Sequence, residues 1–292
     1  MNIGWIGTGV MGVSMCKHIL KAGHKLRIYN RTFAKAQPLV EAGAEFVQPR
    51  ELAQNSDAVF LMLGYPKDVE QVVLGDQGIL NHMKKGTVLV DHTTSSPELA
   101  ERIFKEAKEK GIDSIDAPVS GGDIGAREGR LVVMCGGEQK GLDRINDVLK
   151  VYSGNVQLMG SAGLGQHTKM VNQIVLAGNM IGTVEGLLYG HKCGLNLEQL
   201  INTIKSGAAN STAWSVLGLR MVKGDFEPGF YVEHFIKDLS IGINEANRMN
   251  LSLPGLALVK QLYHALVAQG GGRNGTQALL LALERLNNHK IR

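Results

Sequence analysis

Short apolar runs alternate with stretches of mixed polarity over the first half of the chain. Runs at 2–6, 26–29, 44–47, 58–63, 87–91 and 112–116 have the length and apolar character of strands. The run at 58–63 (AVFLML) has no polar position, as a strand covered on both faces requires. Between the runs, residues 12–22, 35–42 and 97–110 space their apolar positions as helices do. This βαβα alternation predicts an α/β domain with a mostly parallel, doubly wound sheet. Further strands are expected at 131–136 and 155–158, with a helix over 141–151 between them.

The rhythm changes at Gly160-Ser161-Ala162-Gly163, and no strand pattern follows. Residues 166–193 read as one long helix. Shorter helices are expected over 197–205, 212–222, 236–249, 255–268 and 276–286, punctuated by Asn250 to Pro254 and by Gly270-Gly271-Gly272. A domain boundary is therefore expected near residue 163, with an all-α domain over 164–292.

Composition narrows the class. The 292 residues suffice for two domains, and 44% hydrophobic with 20% charged residues is a globular mix. The net charge of +4, with no clustered basic face, argues for small anionic ligands rather than nucleic acid. Cys16, Cys135 and Cys193 are too sparse for a disulfide framework or a zinc site, which suits a reducing, cytoplasmic compartment. The histidines show no metal spacing either, and no metal is expected. Gly4, Gly7, Gly9 and Gly12 interrupt the N-terminal apolar stretch, and no charged region precedes it, so it does not read as a secretory signal. The most apolar long segment, 170–190, contains Asn172, Gln173, Asn179 and Glu185, which favours a buried helix over a membrane span.

The first strand runs into Gly7-Thr8-Gly9-Val10-Met11-Gly12, a G-x-G-x-x-G that opens a helix and leads to a second strand. In that context the string is a dinucleotide-binding turn of a Rossmann domain. The first glycine permits the tight turn, the second admits the pyrophosphate, and the third lets helix and strand pack closely. The end of the second strand carries Asn30-Arg31-Thr32, where an NAD site usually has a carboxylate. Asn does not repel a 2′-phosphate, Arg31 can offer it a planar donor fork, and Thr32 adds a hydroxyl. NADP(H) is therefore favoured, with NAD(H) possible. An exposed loop charge is the plainer alternative for Arg31.

Two further segments carry candidate chemistry. Lys169, Asn172 and Gln173 stand at i, i+3 and i+4, so they share one face of the long helix. A lysine on a largely apolar face can exchange a proton near neutral pH, and its ammonium can stabilise an alkoxide left by hydride transfer. A structural ion pair is the alternative. Ser120-Gly121-Gly122 follows a strand end and leaves N–H groups and a hydroxyl free for an anion such as a carboxylate. A tight structural turn is the alternative there.

Four segments, GWIGTGVMG (4–12), DAPVSGG (116–122), GLGQHTKMVNQ (163–173) and FIKDL (235–239), together resemble the β-hydroxyacid dehydrogenase family, and they span nearly the whole length. The resemblance implies a Rossmann domain, a long interdomain helix, an all-α domain for substrate binding and dimerisation, and an active site in the cleft between domains. It implies Lys169 as the catalytic lysine and Asn172 as the asparagine that holds substrate and lysine. By the same resemblance, Ser120, Gly121 and Gly122 bind the substrate carboxylate, with Gln173 beside them. Asp238 lines the cleft, Lys237 approaches the cofactor, Thr94 lies near the nicotinamide ribose, and Leu63 and Pro66 flank the cofactor. Substrate selection is expected from residues 207–214 and 230–234.

The expected function is NADP(H)-dependent interconversion of a small β-hydroxy carboxylic acid and its semialdehyde, in a homodimer or homotetramer. The partners reduce to that small carboxylate substrate, with neither nucleic acid nor membrane. The competing readings are a non-catalytic cofactor-binding module on the same fold and a 3-hydroxyisobutyrate dehydrogenase proper using NAD. Imine reductases and sugar-phosphate dehydrogenases share the plan, but Lys169 and Val171-Asn172 do not fit them.

Overall fold

In the computed structural model, which describes residues 1–292, the first apolar run is β1 (Asn2–Ile6), followed by α1 (Val10–Lys21) and β2 (Lys25–Tyr29). Next come α2 (Gln37–Val40), β3 (Glu45–Phe46), α3 (Pro49–Gln54), β4 (Ala58–Leu61), α4 (Pro66–Leu74), β5 (Val88–Asp91), α5 (Pro97–Glu109) and β6 (Asp113–Asp116). Strands β1 to β6 pair in the order β3-β2-β1-β4-β5-β6, all parallel. This is the doubly wound arrangement that the alternation predicts.

The sheet then reverses. β7 (Val119–Ser120) and α6 (Gly122–Glu128) precede β8 (Leu131–Gly136), which runs antiparallel to both β6 and β7. After α7 (Gln139–Lys150), β9 (Ser153–Gly160) pairs parallel with β8.

The period of two along each strand divides apolar residues between the two faces. Ile3, Trp5, Phe60, Val88 and Val90 enter one core with Met15 and Ile19 of α1. Ile6, Val59, Leu61 and Leu89 enter the other, with Leu52, Val69 and Ile103. Trp5 stacks on Phe60 at 5.6 Å between ring centroids, and its Nε1 donates to Gly7 O at 2.9 Å. A buried aromatic thus pins the start of the glycine-rich turn.

The chain forms two compact units, Met1–Lys169 and Met170–Arg292. The long helix α8 (Leu164–Lys192) contains that division. The second unit is helical, with α9 (Leu197–Ile204), α10 (Gly218–Lys223), α11 (Val232–Arg248), α12 (Pro254–Ala268) and α13 (Leu279–Leu286). Its core gathers Met180, Val184, Ile201, Trp214, Phe235, Tyr263 and Leu279. Two expected helices differ in detail. The segment 212–222 opens with a π-helical turn over Ala213–Leu217, and 276–286 opens with a 3₁₀ turn over Thr276–Ala278. Helix α11 starts at Val232, four residues before the expected 236. No helix is long and apolar enough to cross a membrane.

Candidate active site

The glycine-rich turn leaves the carboxyl end of β1, and its three glycines do three different things. Gly7 has φ 102°, its N–H donates to Tyr29 O at 2.9 Å, and a Cβ there would meet Met62 O at 2.2 Å. A Cβ on Gly12 would meet Gly7 O at 2.1 Å, so helix and turn are in contact. A Cβ on Gly9 would meet nothing within 4 Å, so the space before it is open. Gly9 caps α1 without a side-chain acceptor, and the first turn of α1, from Val10 and Met11, holds no acidic residue. Thr8 is buried, and its Oγ1 has no hydrogen-bond partner. Free helix N–H groups, an orphaned buried hydroxyl and open space at Gly9 together fit a dinucleotide pyrophosphate.

Asn30 does more than lack a charge. Its Oδ1 accepts from Thr8 N at 3.1 Å, and its Nδ2 donates to Thr32 O at 2.9 Å, tying the glycine-rich turn to the end of β2. Arg31 is exposed, with Nη1 3.7 Å from Asp68 Oδ1 in α4. Leu63 N donates to Thr93 Oγ1 at 2.9 Å, which joins the loop after β4 to the loop after β5. Pro66 is the first residue of α4, and Thr94 follows Thr93 on the β5 loop, half-buried.

Past β6, Gly121 and Gly122 take φ values of 127° and 63°, which L side chains rarely adopt. The Ser120-Gly121-Gly122 turn is therefore specified by its glycines, and a Cβ on Gly122 would meet open space. Lys169 is buried, and its Nζ donates to Val119 O at 2.8 Å. The ammonium is thus held one residue from Ser120.

Asp116 and Gln166 escape sequence reasoning, because their partners are remote in the chain. Asp116 Oδ1 accepts from Gly163 N at 2.8 Å and Oδ2 from Gln166 N at 2.9 Å, capping α8 from the end of β6. Burial pushes the Asp116 carboxyl above the usual carboxylate range, and the backbone N–H groups of Gly163 and Gln166 pull it back. Gln166 Nε2 donates to Thr93 O at 2.7 Å, and its Oε1 accepts from Ser95 N at 2.9 Å. His92 is also fully buried. It contacts Ala117 O through Nδ1 at 2.6 Å and Tyr152 Oη through Nε2 at 2.9 Å.

The second unit gathers its own set. Asn172 Nδ2 donates to Gln173 Oε1 at 2.7 Å, and Gln173 Nε2 donates to Asp238 Oδ2 at 2.6 Å. A carboxylate only accepts, so it fixes the Gln173 amide with its oxygen toward Asn172. Asp238 Oδ1 lies 2.7 Å from Lys237 Nζ. Gln173 and Asp238 are buried, so this polar chain is internal to the helical unit. Beside it, burial and then the Lys237 ammonium lower the pKa of His234. Within 207–214, Trp214 is a core residue, with Nε1 donating to Ile201 O at 3.2 Å.

Known proteins match this architecture along its whole length. Residues 2–160 match the family model described as the NAD binding domain of 6-phosphogluconate dehydrogenase. Residues 163–283 match the model described as NAD-binding of NADP-dependent 3-hydroxyisobutyrate dehydrogenase. The chain is 51% identical to a probable mitochondrial 3-hydroxyisobutyrate dehydrogenase-like protein of Arabidopsis thaliana, over 99% of this chain and 87% of that one. It is 36% identical to 2-hydroxy-3-oxopropionate reductase of Escherichia coli, over 100% of both. Among solved structures, 3-hydroxyisobutyrate dehydrogenase of Mycobacterium tuberculosis superposes with a TM-score of 0.87 at 27% identity, covering 96% of this chain and 98% of that one. With an NAD(P)-binding domain and relatives named as dehydrogenases and reductases across its full length, the chain belongs to the β-hydroxyacid dehydrogenase family and is an oxidoreductase acting on hydroxyl groups.

Proposed function

We propose that the protein interconverts a short β-hydroxy carboxylate and its semialdehyde, with NADP(H) as the favoured cofactor and Lys169 as the proton donor and acceptor. The observation that carries this reading is the Lys169 ammonium, buried and 2.8 Å from Val119 O, beside Ser120. That placement sets a proton source against a turn whose small residues suit a carboxylate. The relative named 2-hydroxy-3-oxopropionate reductase supports an acid substrate with a nearby hydroxyl or carbonyl.

The residues divide the work. The turn Gly7–Gly12, with Thr8, Val10 and Met11, would hold the pyrophosphate. Asn30, Arg31 and Thr32 would hold the adenosine ribose and its 2′-phosphate, and Leu63, Pro66, Thr94 and Lys237 would flank the rest of the cofactor. The bound nicotinamide supplies or takes up the hydride. Ser120, Gly121 and Gly122 orient the substrate carboxylate. Lys169 protonates the developing alkoxide oxygen in reduction and accepts the hydroxyl proton in oxidation. Asn172 stands one helical turn after Lys169 on α8 and offers its amide to the substrate, with Gln173 and Asp238 bracing it.

The test is NADPH oxidation over a panel of semialdehyde acids, with Lys169→Ala alongside. The expected outcome is turnover with at least one three- to five-carbon acid and a loss of about 10²–10⁴-fold in the variant. Undiminished turnover in Lys169→Ala would remove the lysine from the mechanism.

A further inference from the structure

The geometry points to Gln166, anchored by Asp116, as a positioning residue that sets Lys169 in register with the loops after β4 and β5. The inference rests on Lys169 being the proton donor.

An ordinary helix start takes its cap from its own flanking residue, whose side chain accepts an N–H two or three positions on. Residue 163 is glycine, with φ +88°, and has no side chain to offer. The acceptors come instead from Asp116, 47 and 50 residues upstream. Glycines let the helix come this close. A Cβ on Gly165 would meet Met134 O at 2.5 Å and Asp116 O at 2.7 Å, and one on Gly136 would meet Asp116 Oδ1 at 2.6 Å. The first turn of α8 is therefore fixed to the strand ends in both height and rotation.

Gln166 carries that fixation to the neighbouring loops. It is fully buried, and its amide spends both ends on one loop, donating to Thr93 O and accepting from Ser95 N. Thr93 in turn accepts from Leu63 N through its hydroxyl. Lys169 follows Gln166 by three residues, about 4.5 Å further along the same side of the helix. A rigid path thus links the ammonium to Thr93 and Leu63. Proton donor and hydride carrier must address the two ends of one carbonyl, and a misplacement of about 1 Å costs about 10²-fold in rate. The Gln166 amide is spent on Thr93 and Ser95, so its effect on the lysine is exerted through the helix.

Three variants and one double variant test this, on full-length enzyme assayed with saturating cofactor. Gln166→Met keeps bulk and loses both hydrogen bonds. It should lower kcat about 10- to 100-fold with a much smaller change in cofactor KM. Gln166→Glu keeps an acceptor for Ser95 N but sets a carboxylate against Thr93 O. On acidification its protonated form can donate there again, so its kcat should recover relative to Gln166→Met. In the Lys169→Ala background, Gln166→Met should lower kcat by less than about 3-fold, because a residue acting through the lysine has little left to misplace. Thermal melts of each variant confirm folding.

A Gln166→Met enzyme that keeps kcat within about twofold while melting earlier would make the residue purely structural and overturn the proposal. So would full additivity with Lys169→Ala, or parallel pH profiles for the Met and Glu variants. Retained activity in Lys169→Ala alone would instead overturn the reading of the lysine itself.

Discussion

Acid should weaken the Rossmann unit first through His92. Its Nδ1 faces a carbonyl, which only accepts, so Nδ1 carries the proton and Nε2 accepts from the Tyr152 hydroxyl. The neutral ring is fully satisfied, and a second proton would place a buried charge against that hydroxyl. Burial accordingly lowers the His92 pKa from 6.5 to about 4, with the Ala117 carbonyl opposing slightly. A folded-state value below the unfolded one means that the contribution is whole above about 6.5 and is lost as pH falls through about 4. At about 1.4 kcal/mol per pH unit the full loss is about 3 kcal/mol, of which about 2 kcal/mol falls between pH 7 and pH 5. Urea unfolding at those two pH values, on the native protein and on His92→Asn, isolates the term. The native protein should lose about 2 kcal/mol more than the variant over that interval. Equal losses would refute the assignment, since other carboxylates and histidines titrate alike in both proteins.

The remaining predictions concern the cofactor site. Gly9→Ala should leave the melting temperature unchanged, because its Cβ meets nothing, yet weaken cofactor binding by about 10-fold or more through overpacking against the pyrophosphate. Gly12→Ala should do the reverse in folding, lowering stability by about 1–3 kcal/mol through the clash with Gly7 O, as a thermal melt would show. Arg31→Ala should raise the KM for NADPH about 10- to 100-fold and for NADH less than about 3-fold, as the loss of charged hydrogen bonds to a 2′-phosphate implies. Equal loss for both cofactors would overturn the proposed NADP preference. Asp68→Asn removes a carboxylate 3.7 Å from the exposed Arg31 and should shift the NADPH-to-NADH selectivity upward, by up to about 5-fold.

What can be read from the sequence is what neighbours in the chain decide. The turn from Gly7 to Gly12 announces itself because strand, glycine spacing and helix lie within twenty residues. The long helix α8 is legible for a similar reason, as an unbroken apolar stretch with isolated polar residues. Some short elements are not: the pattern predicts no helix at α3, α4 or α6, of 6, 9 and 7 residues, which begin at Pro49, Pro66 and Gly122, residues that read as turns. The direction of β8 is also hidden, because alternation along a strand is the same whether it runs with or against its neighbour. The site divides along the same line. Lys169, Asn172 and the Ser120 turn are legible through helical spacing and glycine content. Asp116 and Gln166 are not, since their meaning lies in partners 47 to 73 residues away. His92 shows in the sequence only its lack of metal spacing, and nothing local signals its contact with Tyr152, 60 residues on.

The remote cap on α8 has a consequence for how the protein folds. Gly163 and Gln166 give their amide hydrogens to a carboxylate that is in place only once β6 has joined the sheet. The longest helix of the chain can therefore nucleate early in its middle, but its first turn, which has only Leu164 N to Ser161 O and His167 N to Gly163 O as local bonds across its start, leaves the N–H groups of Gly163 and Gln166 to the remote carboxylate. That turn is completed as part of the sheet, by contacts of long sequence separation that cost loop entropy before they return enthalpy. A chain with helix but no finished sheet would carry Lys169 on a frayed end. The lysine is placed only when the nucleotide-binding sheet is whole, so an incompletely folded chain lacks the arrangement proposed for proton transfer.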